Sequence, residues 1–295
     1  VSNRQEIGRQ GLRKALEIRR RLSVSRSEPV CVYDIADRLG VEVIFCAENS
    51  LGGMYVKTSQ TILLPARRPP GRRAYSCAHE LGHWAFGHGT RLDEMADIAE
   101  IYGPDECKSD ERLANTFASS LLMPPWAVNE AFARRNWKSH DCTALQIYTV
   151  AGQLGVGYET LVKHLNYSLK QISDAQTERL LKSTPRQIRH SLVSSNPAPH
   201  LVIVDRAWIS VAVDLEVGEL AILPEDVSLE GQSVSVIDHH SLGLLVEGRI
   251  PGITRGETQD GSWASFIRVS RKDFIGRSIY RHLEDPDVDE MPATI

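Results

Sequence analysis

Two histidines four residues apart, with a glutamate beside the first, stand in the stretch YSCAHELGHWAFGH (75–88) as His79-Glu80-Leu81-Gly82-His83. On a helix, residues four apart project within about 40° of each other, so two imidazoles at this spacing reach one divalent ion. Glu80 is rotated about 100° from His79. That position is poor for joining the same ion and good for reaching a water bound to it, so the spelling H-E-x-x-H signals zinc-dependent peptide hydrolysis. Ala74, Ala78, Leu81, Gly82 and Ala85 fall in one arc of the same helix, which predicts a packed element with the histidines at the edge of a cleft.

A catalytic zinc takes a third protein ligand and keeps a fourth position open. The metzincin arrangement, with glycine and histidine three and six residues after the second histidine, is excluded because Phe86 and Gly89 stand there. A downstream carboxylate remains, and Glu94, Glu100, Glu106 and Glu111 are the candidates. Glu111 is favoured: it opens DERLANTFASSLLMP, in which Leu113, Phe117 and Leu121 form a core stripe and Ala114 and Ala118 let another helix approach closely. Asn115, one turn later, is placed to accept the free N–H of His79 or His83 and fix the ring. Cys107, four residues before Glu111, is a candidate inhibitory ligand whose thiolate would fill the open position. An oxyanion donor is also needed. Tyr55, Tyr75, Tyr102 and His88 are candidates, and the sequence does not choose among them.

The elements that must position these residues read as α+β. The spacing predicts a basic N-terminal helix within 1–28 and a mainly helical zincin-like domain with a small sheet over 29–135. A helical segment resembling a helix-turn-helix follows over 136–183, then a β-rich C-terminal domain over 197–284 and an acidic tail at 285–295. Helices are expected at 3–22, 72–86, 109–123, 126–135, 143–154, 158–166 and 169–182, with a linker near 184–198. The strand at Thr61–Leu64 is expected at a sheet edge, where an extended peptide adds by backbone hydrogen bonds. His239 and His240 adjoin on a strand, point to opposite faces and do not share a metal.

With 295 residues, 42% apolar and 24% charged, the chain has the composition of an ordinary globular protein of about two domains. No apolar run is long enough to span a membrane, and the charged N-terminus does not read as a secretory signal. Five scattered cysteines without C-x-x-C predict reduced thiols and a cytoplasmic location. A net charge of −4 argues against a uniformly basic surface, although residues 1–26 hold eight Arg/Lys against two acids.

The two halves of the site together, R-x-A-Y-S-C-A-H-E-L-G-H and E-R-L-A-N-T-F-A-S-S-L-L-M-P, closely resemble the ImmA/IrrE family of bacterial zinc metallopeptidases over roughly residues 30–165. The resemblance implies Zn2+ held by His79, His83 and Glu111, with Glu80 as general base. It also implies a helix-turn-helix repressor as substrate, whose cleavage releases stress, DNA-damage or phage-defence genes. DNA as an activating ligand, bound through the basic N-terminal segment, is compatible with that reading.

The alternative is a DNA-binding regulator built on LQIYTVAGQLGVGYETLVKHLNYSL, with the metal site regulatory. Its second helix would offer Tyr158, Glu159, Thr160, Lys163 and His164 outward, a set poor in arginine for reading bases. No motif in the β-rich part carries chemistry; sensing a ligand or docking the substrate is its expected role by analogy with longer family members.

Overall fold

Arg19 lies in the last turn of the first helix, α1 (Asn3–Arg21), and is only 1% exposed. Its guanidinium donates to the carbonyls of Leu121 (3.1 and 2.6 Å), Ser25 (2.7 Å) and Glu28 (2.8 Å). The basic helix is therefore not solvated all round: one of its arginines ties it to the helix that carries Glu111. A computed structural model describes residues 3–48, 51–89, 91–94, 109–193 and 200–283 of this α+β protein.

After α1 come α2 (Val32–Arg38), β1 (Glu42–Cys46), β2 (Leu51–Val56), β3 (Thr61–Pro65), α3 (Pro70–Phe86) and β4 (Arg91–Glu94). The sheet runs β13-β1-β3-β2-β4, where β13 (Gly276–Arg277) arrives from the far end of the chain. The expectation that Thr61–Leu64 is an edge is overturned. β3 pairs in parallel with β1 and antiparallel with β2, and Ile62 and Leu64 are fully buried. A strand so apolar needs cover on both sides, and the parallel partner supplied by the α2–β1 unit takes the position that looked open. Among the described strands the two edges of this sheet are β13 and β4.

α4 (Ser109–Leu122) lies between α1 and α3. Both crossings run through small residues. A Cβ on Gly82 of α3 would come within 2.9 Å of the Ala114 Cα, and one on Gly11 of α1 within 2.6 Å of Thr116 Cγ2. Pro124 and Pro125 end α4 and start α5 (Pro125–Ala133). α6 (Ala144–Gln153), α8 (Asp174–Leu181) and α9 (Pro185–Leu192) each begin with a capping box: Thr143/Gln146, Ser173/Gln176 and Thr184/Gln187. The helix expected from 169 starts only at Asp174, because Ser173 caps it and Lys170 takes φ 55° in the turn before. α9 occupies part of the expected linker, and its Thr184-Pro185-x-Gln187 start is a legible helix signal.

α7 (Tyr158–Lys163) runs on into a π-helical turn, His164–Ser168. Of the five residues expected to face outward there, Tyr158 and His164 are buried, donating to the Leu180 carbonyl (2.8 Å) and pairing with the Met123 carbonyl (2.9 Å). The apolar face of α7 is wider than the period suggested, because α8 and the end of α4 both pack on it.

The last third forms two four-stranded sheets around a shared core that includes Trp208, Leu215, Leu223, Val246, Trp263 and Ile267. One has the order β5-β7-β10-β9 (Leu201–Ile203, Leu220–Leu223, Gly243–Gly248, Val234–His240). The other has the order β6-β12-β11-β8 (Val213–Glu216, Ala264–Ser270, Gly252–Thr258, Val227–Glu230). Buried charge joins this sandwich to the helices. Arg73 of α3 meets Glu216 of β6 at 2.5 Å and the Ala66 carbonyl at 2.9 Å. Arg135 grips Asp205 with two bonds of 2.7 Å. Asp34 of α2 and Asp214 of β6 share Arg268 (2.9 and 2.5 Å) and Arg281 (3.5 and 3.3 Å). Burial alone would raise the Asp214 carboxyl, but Arg281 and Arg268 hold it well below the usual carboxylate range.

Three stability outcomes follow from this packing. Gly82→Ala gains about 1 kcal/mol of helix propensity yet is expected to lower stability by about 1–3 kcal/mol, measured by urea unfolding, because its methyl lands on the Ala114 backbone. Glu216→Ala strands the buried Arg73 charge and should cost about 3–5 kcal/mol, most of it recovered in the double variant with Arg73→Met. Burial holds His164 at about 4, below its ordinary 6.5, so the neutral ring contributes stability above about pH 6.5 that is lost as pH falls towards 4. In His164→Gln the fall in unfolding free energy between pH 7 and pH 5, measured by urea titration, should be shallower, by up to ~1.4 kcal/mol per pH unit.

Candidate metal centre

α3 starts on Pro69-Pro70 and stops at Gly87, whose φ of 71° only glycine takes readily. Between these stops its inner face, with Cys77, Ala78 and Leu81 fully buried, lies on the sheet and against α4. His79 (9% exposed), Glu80 (2%) and His83 (2%) follow from that same face into the interior. The Gly82–Ala114 contact then fixes where α4 delivers its first turn: Glu111 is three residues before Ala114, and Gly82 lies between the two histidines.

The result is a triangle of donor atoms. His79 Nε2 and His83 Nε2 are 3.1 Å apart, and Glu111 Oε2 lies 3.2 Å from the first and 3.5 Å from the second. A tetrahedral ion with bonds of about 2.1 Å sets its ligand atoms about 3.4 Å apart. Two imidazole nitrogens and a carboxylate oxygen at these separations fit a zinc ion, and among the described residues this is the group of three or more candidate ligands. Burial alone would raise the Glu111 carboxyl. Its contacts with His79 and His83 reverse that and hold it well below the usual range, as a ligand oxygen requires.

The outer ring nitrogens are engaged elsewhere. His79 Nδ1 is 2.9 Å from Asn115 Oδ1, one turn after Glu111 on α4. His83 Nδ1 is 2.9 Å from His88 Nδ1, and His88 Nε2 lies 3.6 Å from Asp110 Oδ1. The Nε2 atoms are thereby left facing the triangle. Glu80 turns towards β2, where a Cβ on Gly53 would sit 2.8 Å from Oε1, so the strand leaves room for the carboxylate. Burial pushes the Cys77 thiol, one turn before Glu80, well above its ordinary range.

The oxyanion candidates are distributed as follows. The buried Tyr55 hydroxyl accepts from Gln60 Nε2 (2.8 Å), and Gln60 Oε1 accepts from Trp84 Nε1 (2.6 Å). The Tyr75 hydroxyl shares a hydrogen bond with Ser119 Oγ (3.0 Å), two turns along α4 from Glu111. His88 sits behind the His83 ring, on the side away from the triangle. Tyr102, Cys107, Glu100 and Glu106 lie outside the described residues, and Glu94 ends β4. His239, on exposed β9, pairs with Glu225 at 3.0 Å. The role of His88 and Asp110 escaped the sequence. The signal was the glycine stop: Gly87 turns the chain so that the His88 N–H bonds back to the His83 carbonyl (3.0 Å), returning the side chain to the last helical turn.

No helix among the described residues is long and apolar enough to cross a membrane. Residues 36–166 match the family model Peptidase_M78, described as an IrrE N-terminal-like domain. The "Uncharacterized immunity region protein 2" of Bacillus phage phi105 is 28% identical over 101 residues, which are 33% of this chain. The chain spans 61% of that curated relative's length. A solved "Mycobacterium tuberculosis transcriptional regulator" is similar with a TM-score of 0.37 and 18% identity, over 57% of this chain and 48% of its own. The two helices that carry the donor triangle, α3 and α4, both fall inside the segment that matches the IrrE N-terminal-like domain model of Peptidase_M78.

Proposed function

We propose that the chain is a zinc-dependent metalloendopeptidase that cleaves a helix-turn-helix transcriptional repressor. The observation that carries the reading is the triangle of His79, His83 and Glu111, spaced for a tetrahedral ion inside a Peptidase_M78 domain, with a buried glutamate adjoining the first ligand. Zinc held there supplies Lewis acidity, which polarises the scissile carbonyl and makes a nearby water more acidic. The remaining steps belong to the chain. Glu80 removes a proton from the attacking water and returns it to the leaving amine, so that a neutral amine departs. Asn115 holds the His79 ring through Nδ1 and leaves Nε2 to the metal. The backbone of β4, an edge strand among the described residues, offers an extended peptide a strand to pair with, which orients a substrate through its main chain.

The substrate class is what the ImmA/IrrE resemblance implies, and the match to the IrrE N-terminal-like domain model and to a phage immunity region protein supports that resemblance. The contrary reading, DNA recognition by 158–164, has less to work with: Tyr158 and His164 are packed inside, and Glu159 is the exposed residue of the five.

The test is co-expression of the chain with the helix-turn-helix repressor encoded beside its gene, followed by immunoblotting and zinc analysis of the purified protein. The parent should cleave the repressor and carry about one zinc. Glu80→Gln should keep the zinc and lose at least about 10²-fold in cleavage rate. His79→Ala should lose both. Full cleavage by Glu80→Gln would sink the assignment.

A further inference from the structure

We propose that His88 is a positioning residue that, set by Asp110, presents His83 to the metal in its Nδ1–H form. The inference rests on the zinc reading of the triangle and adds a part that reading does not contain.

The argument is one of counting hydrogens. His83 Nδ1 and His88 Nδ1 face each other at 2.9 Å, so a single hydrogen lies between them. If His88 supplied it, the neutral His83 ring would carry its own hydrogen on Nε2, the atom that points at His79 Nε2 and Glu111 Oε2. A nitrogen carrying hydrogen has no lone pair to give a metal. Binding at Nε2 therefore requires His83 to donate from Nδ1 and His88 to accept. His88 then bears its hydrogen on Nε2, and that atom faces Asp110 Oδ1 at 3.6 Å. This is too long for a direct hydrogen bond but close enough for the carboxylate to favour N–H there.

Packing holds the arrangement. The His88 ring stacks on Phe86, with centroids 5.7 Å apart and planes 18° apart, and Phe86 stands edge-on to Phe117 in the core of α4. The His88 side chain is 11% exposed, and the backbone N–H of His88 bonds to the His83 carbonyl. Asp110 adjoins Glu111, so the first turn of α4 delivers both the third ligand and the group that sets the ring behind the second. Asn115 does for His79 what His88 does for His83: each imidazole meets an acceptor that forces the same choice of nitrogen.

The experiment is a zinc competition titration against a chromophoric chelator, at one pH, on the full chain stripped of metal. Thermal unfolding of each metal-free protein runs alongside. His88→Phe keeps a ring to stack on Phe86 but removes the acceptor, and zinc affinity should fall about 10–100-fold. His88→Asn places an amide oxygen near the Nδ1 position and should stay within about threefold of the parent. Asp110→Ala should weaken binding by at least about threefold with metal-free unfolding little changed. A folded His88→Phe or Asp110→Ala that binds zinc as tightly as the parent overturns the proposal. So does equal loss in His88→Asn and His88→Phe, which would mark His88 as structural. If His88→Phe fails to fold, Asp110→Ala and His88→Asn decide. A parent without zinc affinity would instead overturn the proposed function, and this inference with it.

Discussion

Two helix backbones touch at Gly82 and Ala114, and the rest of the site depends on that contact. Two of the three donors are local in sequence and need only a helix. The third lies 28 positions beyond the second and reaches the pair only if α4 crosses α3 with almost nothing between them. A side chain at the crossing would lift Glu111 off the triangle by more than the few tenths of an ångström that metal coordination tolerates. The opposite side of α4 is pinned in the same way, by Gly11 against Thr116 and by the Arg19 guanidinium on the Leu121 carbonyl. The Glu111 helix is thus clamped between two neighbours by the absence of side chains at one end and a buried cation at the other.

Charge in this protein is concentrated where elements meet. Arg73, Arg135, Arg268 and Arg281 each sit between the helical part and the sandwich, with carboxylate partners on one side or both. Buried pairs of this kind add little net stability over apolar packing, but each punishes the loss of its partner, so they fix relative placement. Arg73 has added weight because it is nearly two turns before His79 on the same helix, so the sandwich grips the helix of the two histidine donors directly.

Much of the site was legible in the sequence because helices encode proximity by period. The spacing of His79, Glu80 and His83, and the alanines that flag an approach face on α4, are local signals, and the structure brings Glu111 and Asn115 to the histidines. What the sequence hid was non-local. Whether Thr61–Leu64 is edge or centre depends on where β1 docks, and no pattern within the strand says so. The faces of Tyr158 and His164 depend on α8 and α4 covering them. The link from His83 to His88 turns on a chain reversal at one glycine, which the helical period does not describe.

β13 has a consequence for how the molecule comes into being. Ile44 and Phe45 pair with Arg277 and Gly276, a closure across more than 200 residues. A ribosome adding roughly 5–20 residues per second needs on the order of ten seconds or more to travel from one partner to the other. During that interval the ligand-bearing helices have emerged, while the sheet beneath them still shows the bare main chain of β1. Arg73 likewise waits for Glu216. The native junction therefore closes late in synthesis, and the emerging chain passes through a period in which its helical half has neither its outermost strand nor the partner of its buried arginine.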